Sequence, residues 1–167
     1  MRDYRRLIDT NTSGNRCDVT PLFADPEGFA VLLEDLEHLL EGVAFDVVAG
    51  IDALGFVVGA ALAARRGAGF LAIRKGGKLP VATVSRAFVD YTGTGKRLEI
   101  RADAIQPGTR ILVADEWIET GAQVAAAISL LEDLGGIVVG VAAVQADDNP
   151  LVQGLREKYP FYVPSHG

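Results

Sequence analysis

The sequence predicts an α/β fold, a mainly parallel, twisted sheet with helices on both faces, and three observations carry that prediction. Short apolar runs alternate with segments of helical spacing: strands are expected over 46–50, 69–74 and 111–114, helices over 55–66 and 124–134, and a further strand up to residue 144. The run Ile111-Leu112-Val113-Ala114 is apolar throughout, as a central parallel strand buried on both faces is. Loops rich in Gly, Lys or Asp/Glu follow three of the strands, where open parallel sheets gather their ligands.

Taken in order, Asp25-Pro26-Glu27 offers an N-cap, a proline for the first turn and an early acid. Phe29, Leu32, Leu33, Leu36, Leu39 and Leu40 follow at helical spacing and predict one buried face. Glu34, Asp35, Glu37 and Glu41 form its solvated face, with His38 among them. Segments 87–91 and 97–101 alternate like a solvent-facing hairpin around Thr92-Gly93-Thr94-Gly95. Residues 76–95 are bracketed by glycine-rich turns and are expected to include a mobile loop that closes over a ligand. After Ala146 the pattern weakens, and Tyr159-Pro160-Phe161-Tyr162 predicts either an edge strand or a packed tail. No repeat, low-complexity tract or linker interrupts the chain, so residues 1–167 are expected to form a single domain.

The bulk properties exclude several classes. A chain of 167 residues with 49% hydrophobic content can bury a sizeable core. Apolar stretches break at Gly, Arg or Asp before membrane-spanning length, and Met1-Arg2-Asp3-Tyr4-Arg5-Arg6 lacks an apolar signal core. A soluble, cytosolic protein with no membrane partner is expected. The net charge of -6 argues against nonspecific nucleic-acid binding. A lone Cys17 forms no internal disulfide, and two separated histidines make no metal cluster, so any metal is a hard ion held through oxygen.

The segment 110–123 is the most informative. An apolar strand leads into Asp115 and Glu116, Thr120-Gly121 permits a tight turn, and a helix follows. The first amides of such a helix point at whatever lies above the strand end and favour phosphate, while two carboxylates suit the vicinal hydroxyls of a ribose. An ordinary strand-loop-helix with acidic caps would show the same residues. Two other loops add weight: Gly50-Ile51-Asp52-Ala53-Leu54-Gly55 and the basic Arg74-Lys75-Gly76-Gly77-Lys78-Leu79-Pro80. Together the three suit pyrophosphate, neutralising cations and ribose 5-phosphate. No Gly-x-Gly-x-x-Gly opens a helix after a strand and no Gly-Lys-Ser/Thr is present, which argues against dinucleotide and P-loop enzymes.

The ordered pieces extend further: Asp18-Val19-Thr20-Pro21-Leu22 with Asp25-Pro26, Gly59-Ala60-Ala61-Leu62-Ala63, Leu98-Glu99-Ile100, Asp103-Ala104-Ile105, Pro107-Gly108 and Leu134-Gly135-Gly136. With Gly-Lys-Leu-Pro after a basic pair, they give the chain, over roughly residues 17–145, a resemblance to the type I phosphoribosyltransferases of the adenine type. The resemblance implies a small N-terminal hood over residues 1–20, a core over 21–145 and a C-terminal tail over 146–167. It also implies transfer of ribose 5-phosphate from phosphoribosyl pyrophosphate to a nucleobase with Mg2+ and release of pyrophosphate, in a homodimer. Residue by residue, Asp115 and Glu116 would hold the ribose hydroxyls and Glu119, Thr120, Gly121, Ala122 and Gln123 the 5-phosphate. Asp52, Ala53, Leu54, Arg74, Lys75 and Lys78 would serve the pyrophosphate, Asn15, Arg16 and Cys17 the base, and Asp90 proton transfer on the base.

Several of those positions depart from the family pattern. The loop Glu119-Thr120-Gly121-Ala122-Gln123 stands where Ala-Thr-Gly-Gly-Thr is usual, and Leu54 replaces an arginine. A carboxylate about 4 Å from a phosphate charge costs about 1 kcal/mol in bulk water and about 4 at an effective dielectric of 20. Asn15 and Arg16 put polar groups where the adenine enzymes keep an apolar wall, which predicts that adenine is not the best acceptor. Two readings follow. The Asp115-Glu116 pair and the basic loop favour a purine phosphoribosyltransferase, while Leu54, Glu119 and Gln123 favour an inactive relative that senses a nucleotide or phosphoribosyl pyrophosphate. Trp117 is expected to pack under its loop, and Arg65-Arg66 to mark a helix C-terminus.

Overall fold

The structure, a computed structural model, describes residues 3–12, 17–90 and 92–164. After a 3-10 turn at Tyr4–Leu7 come α1 (Thr20–Ala24), α2 (Pro26–Leu39), β1 (Val47–Ile51), α3 (Gly55–Arg66), β2 (Gly69–Lys75), β3 (Thr83–Val89) and β4 (Gly95–Arg101). Next are β5 (Arg110–Ile118), α4 (Ala122–Asp133), β6 (Ile137–Ala146), α5 (Pro150–Arg156) and β7 (Phe161–Tyr162). One seven-stranded sheet has the order β3-β4-β2-β1-β5-β6-β7, parallel from β2 to β7 and antiparallel where the β3–β4 hairpin joins β2. The predicted fold class is therefore correct. None of the helices among the described residues is long and apolar enough to cross a membrane.

Local chemistry explains the boundaries. The Asp25 side chain accepts a hydrogen bond from the Gly28 amide at 2.6 Å and Pro26 opens α2, so the expected cap is in place. Arg66 donates to the carbonyls of Leu40 and Val43 at 3.3 and 3.1 Å, satisfying the chain beyond α2 from the end of α3. Gly67, at φ 63°, stops α3 in the left-handed conformation.

The core lies on both sides of the sheet because successive strand residues point to opposite faces. Ile111 and Val113 of β5 pack with Ala127, Ile128 and Leu131 of α4, while Leu112 and Ala114 pack with Leu32 and Leu36 of α2 and Val58 and Leu62 of α3. α2 and α3 thus cover one face and α4 the other. The connection leaving β1 runs through α3 toward β2, and the one leaving β5 runs through α4 toward β6. β1 and β5 are neighbours, so the connections diverge between their carboxyl ends and open a crevice there.

Three differences from the sequence expectation matter for that crevice. β5 runs through Ile118, so Asp115 and Glu116 stand on the strand itself and not in a loop after it. The segment 76–95 contains β3 and the turn to β4, and pairing begins at Thr83, four residues before the expected strand. The weakly patterned end folds into α5 and the edge strand β7; α5 was unforeseen.

At the Tyr4 end, the 3-10 turn packs on α2, and Asp9 and Asp18 form an isolated antiparallel bridge that folds this arm against the body. Under the crevice, α3 meets β5 backbone to backbone. A methyl group added at Gly55 would stand 2.7 Å from the Ala114 carbonyl oxygen and 3.1 Å from the Asp115 Cα. Gly55→Ala is therefore expected to cost about 1–3 kcal/mol and lower the urea midpoint, because neither neighbour is a flexible side-chain end.

Candidate active site

A cavity of about 1100 Å³ occupies the crevice. Its walls are the β1–α3 turn (Asp52, Ala53, Leu54), the start of the β2–β3 loop (Lys75, Gly76, Gly77), the hairpin (Phe88, Asp90, Lys96, Arg97) and the run from Asp115 through Gly121, with Gln123 and Val124 of α4. Loops far apart in sequence that were expected to act together do meet.

Asp115 is only 2% exposed. One carboxylate oxygen accepts from the Glu116 amide at 3.0 Å, and the other accepts from the Gln123 side-chain amide at 3.3 Å. Burial holds its carboxyl well above the usual range, and the neighbouring Glu116 carboxylate adds to the effect. Both acids line the cavity, and strand alternation turns Asp115 toward the α4 side and Glu116 toward the α3 side.

The loop after β5 presents a helix start. Gly121, at φ 82°, turns the chain into α4, and Gly121, Gln123 and Val124 line the cavity, so the positive end of α4 faces it. The Asn149 side chain donates to the Glu119 carbonyl at 2.7 Å while capping α5, which ties this loop to the chain end. The Gln123 amide is directed at Asp115.

Across the cavity the charge is basic. Asp52 accepts from Arg74 Nε at 2.9 Å and from the Lys75 amide at 3.4 Å, and the Arg74 guanidinium lies 5.9 Å from the centroid of the Phe56 ring. Arg74 and Lys78 are outside the cavity lining, as is Ala122, whereas Lys75 is in it. Lys96 and Arg97 of β4 also line it and were missed from sequence. The Asp52–Ala53 peptide is cis.

Asp90 is committed elsewhere. One oxygen accepts from the Thr92 amide, the Thr92 hydroxyl and the Thr94 amide at 2.9, 2.6 and 3.1 Å, and Lys96 Nζ lies 3.9 Å from the other. The Thr92 hydroxyl bond first, with the amides and Lys96, keeps this carboxyl below its ordinary range. In this conformation it serves as a turn acceptor at the cavity wall.

A smaller cavity of about 280 Å³ adjoins the first, sharing Leu54, Glu116, Trp117 and Glu119 with it and adding Thr12, Cys17, Asp18 and Val19 from the N-terminal arm. Of the three residues expected at the base, Cys17 lines this smaller cavity, and Asn15 and Arg16 lie outside the described residues. Trp117 lines both cavities and donates from its indole N–H to Asp147 at 3.0 Å, so it forms a partition and is not packed under the loop.

No family model matches the chain. Similar proteins are nonetheless close. The adenine phosphoribosyltransferase of Bifidobacterium longum subsp. infantis is 46% identical over 129 residues, 76% of this chain and 66% of that protein. The Cereibacter sphaeroides enzyme of the same name is 44% identical over 146 residues, 86% of this chain and 82% of that one. The crystal structure of adenine phosphoribosyltransferase from Thermoanaerobacter pseudethanolicus superposes with a TM-score of 0.87 at 34% identity over 96% of both chains. The chain belongs to the adenine phosphoribosyltransferase family. The Saccharomyces cerevisiae member, solved with an imino-altritol bisphosphate and adenine, superposes at 0.84 with 27% identity, covering 98% of this chain and 97% of that one.

Against the phosphoribosyltransferase pattern, the carboxylate pair and the helix start are kept, and the altered positions stand at the starts of α3 and α4. Leu54 and Glu119 border both cavities, and Gln123 lines the larger one with its side-chain amide on Asp115. Among the described residues no group of three or more His, Cys, Asp or Glu is placed to hold a metal.

Proposed function

We propose that this chain is a purine phosphoribosyltransferase that transfers ribose 5-phosphate from phosphoribosyl pyrophosphate to a nucleobase and releases pyrophosphate. The observation that carries the reading is the buried Asp115 beside Glu116, facing the start of α4 across from a wall of Lys75, Lys96 and Arg97. Transfer at the C1 carbon passes through an oxocarbenium-like state, so the protein needs to orient the sugar and stabilise a departing anion, with no covalent nucleophile. Asp115 and Glu116 accept hydrogen bonds from the ribose hydroxyls, the α4 start takes the 5-phosphate, and Lys75, Lys96 and Arg97 neutralise pyrophosphate. The base enters the smaller cavity, whose shared wall at Glu116 and Trp117 sets it next to the sugar.

Magnesium fits this donor set. Two adjacent hard carboxylates, one raised first by burial and then by its like-charged neighbour, suit a cation that takes most of its ligands from substrate oxygens and water. Asp115 and Glu116 would hold it, and when bound it supplies neutralisation of the pyrophosphate charge. The exposed apolar side chains Val57 and Phe70 support the homodimer expected from the resemblance, and sedimentation measures it directly. A cytosolic location is the expectation that goes with this reading.

The names of the relatives support adenine as the acceptor, whereas the expectation of another purine rests on Asn15 and Arg16. Pyrophosphate release compared under equal conditions with adenine, hypoxanthine, guanine and xanthine decides between them. Adenine is expected to react fastest. The second reading, a sensor, is favoured by the position of Gln123 and by the commitment of Asp90 to its turn. Binding of phosphoribosyl pyrophosphate with no release for any of the four bases is its signature.

A further inference from the structure

Among the described residues only two buried positions carry a charged side chain, Asp115 at 2% and Glu99 at 6% exposure. Asp115 belongs to the cavity described above; Glu99 does not line it. β4 pairs antiparallel with β2, with Glu99 opposite Arg74, while its neighbours Leu98 and Ile100 alternate into the core. Glu99 points the other way, under the loop that joins β2 to β3. One of its oxygens accepts from the Gly77 amide at 2.8 Å; the second accepts from the Lys78 and Leu79 amides at 2.7 and 2.8 Å.

Three consecutive amides turned toward one anion form a nest. Gly77 at φ 80° gives the chain the left-handed step such a turn needs. The three amide bonds hold the Glu99 carboxyl below its ordinary range, so the anion is the resident form. The Gly76 amide adds a bond to the Arg97 carbonyl at 2.9 Å, so the loop is fastened to β4 over its length. Lys75, Gly76 and Gly77, immediately beside these anchors, are wall residues of the large cavity.

We propose that Glu99 is a positioning residue for the pyrophosphate side of the site: by holding the amides of residues 77–79 it fixes Lys75 and the Gly76-Gly77 backbone where the leaving group is received. This rests on the phosphoribosyltransferase reading above. Removing the carboxylate frees three amides to water and releases the wall that only the pyrophosphate-bearing ligand touches. The ribose carboxylates and the α4 start are left in place. A glutamine keeps one acceptor oxygen for two of the amides and sets an NH2 group against the third, so it should retain part of the function.

The test is calorimetric titration of the parent, Glu99→Ala and Glu99→Gln with phosphoribosyl pyrophosphate plus magnesium and, separately, with AMP, which carries no pyrophosphate. Amide exchange at residues 77–79 is followed in the same proteins. We expect Glu99→Ala to weaken phosphoribosyl pyrophosphate about tenfold or more, to leave AMP within about twofold, and to lose amide protection at 77–79, with Glu99→Gln intermediate on each. Equal losses for both ligands would mean a merely structural carboxylate and overturn the proposal. So would unchanged phosphoribosyl pyrophosphate affinity with the 77–79 amides exchanging freely. If Glu99→Ala does not fold, Glu99→Gln decides by the same ligand split. A parent that binds neither ligand overturns the phosphoribosyltransferase reading and this proposal with it, an outcome distinct from a parent that binds and variants that match it.

Discussion

Asp115→Asn combined with Glu116→Gln is expected to weaken phosphoribosyl pyrophosphate binding by about a thousandfold while leaving the empty protein at least as stable at neutral pH. Each carboxylate accepts from a ribose hydroxyl in the proposed complex, and hydrogen bonds to charged groups contribute about 1.5–3 kcal/mol each. Two such losses amount to about 3–6 kcal/mol, or roughly a hundred- to ten-thousandfold in affinity.

The stability half follows from the burial of Asp115, whose carboxyl is raised above the ordinary 3.8. For an acid raised on folding, the folded state binds the proton more tightly. The resulting stabilisation is fully present below about 3.8 and is lost as pH rises through the raised folded value. Asparagine carries no charge to bury, so the stability of the double variant relative to the parent should grow as pH rises from 4 to 7, read from urea midpoints at each pH. A variant that loses binding and stability together would show that the pair holds the fold and not the ligand.

Glu119→Ala has the opposite expected sign. Glu119 lines both cavities at the approach to the α4 start, where a 5-phosphate would sit. Removing a like charge about 4 Å away recovers about 1 kcal/mol in bulk water and about 4 at an effective dielectric of 20, so tightening of about tenfold is expected. The Asn149 bond to the Glu119 backbone carbonyl does not depend on the side chain and should persist in the variant. In 1 M salt the gain should shrink, since the Debye length falls to about 3 Å. Adding Gln123→Thr restores a loop hydroxyl but removes the amide donor to Asp115, so the double variant should fall short of the sum of independent gains. Weaker binding by Glu119→Ala would place the phosphate elsewhere.

Much of this site is legible in the sequence, because its parts are local. The apolar run before Asp115, the glycine at 121 and the alternation of β1, α3 and β2 follow from periodicity and turn chemistry over neighbouring residues. The α3 boundaries match the expectation in full, since Gly55 and Gly67 punctuate them. What was missed depends on pairing across the chain. Lys96 and Arg97 reach the cavity only because β4 lies antiparallel beside β2, and Arg74 stands outside the cavity lining with its Nε on Asp52, 22 residues away. Gln123 reads as a phosphate contact, and its bond to Asp115 shows only once α4 sets it over that acid. Two misses had readable signals: Asn149-Pro150 is an N-cap and first-turn pair for α5, and Glu99 is a lone acid between core residues Leu98 and Ile100.

The most direct measurement of the central claim is product formation by the unaltered protein: phosphoribosyl pyrophosphate, magnesium and adenine are mixed with it, and AMP and pyrophosphate are quantified together. The account predicts both products in one-to-one amounts, dependent on adenine and absent from the Asp115→Asn, Glu116→Gln protein. Tight binding of phosphoribosyl pyrophosphate with neither product formed, from adenine or from hypoxanthine, guanine or xanthine, would contradict it.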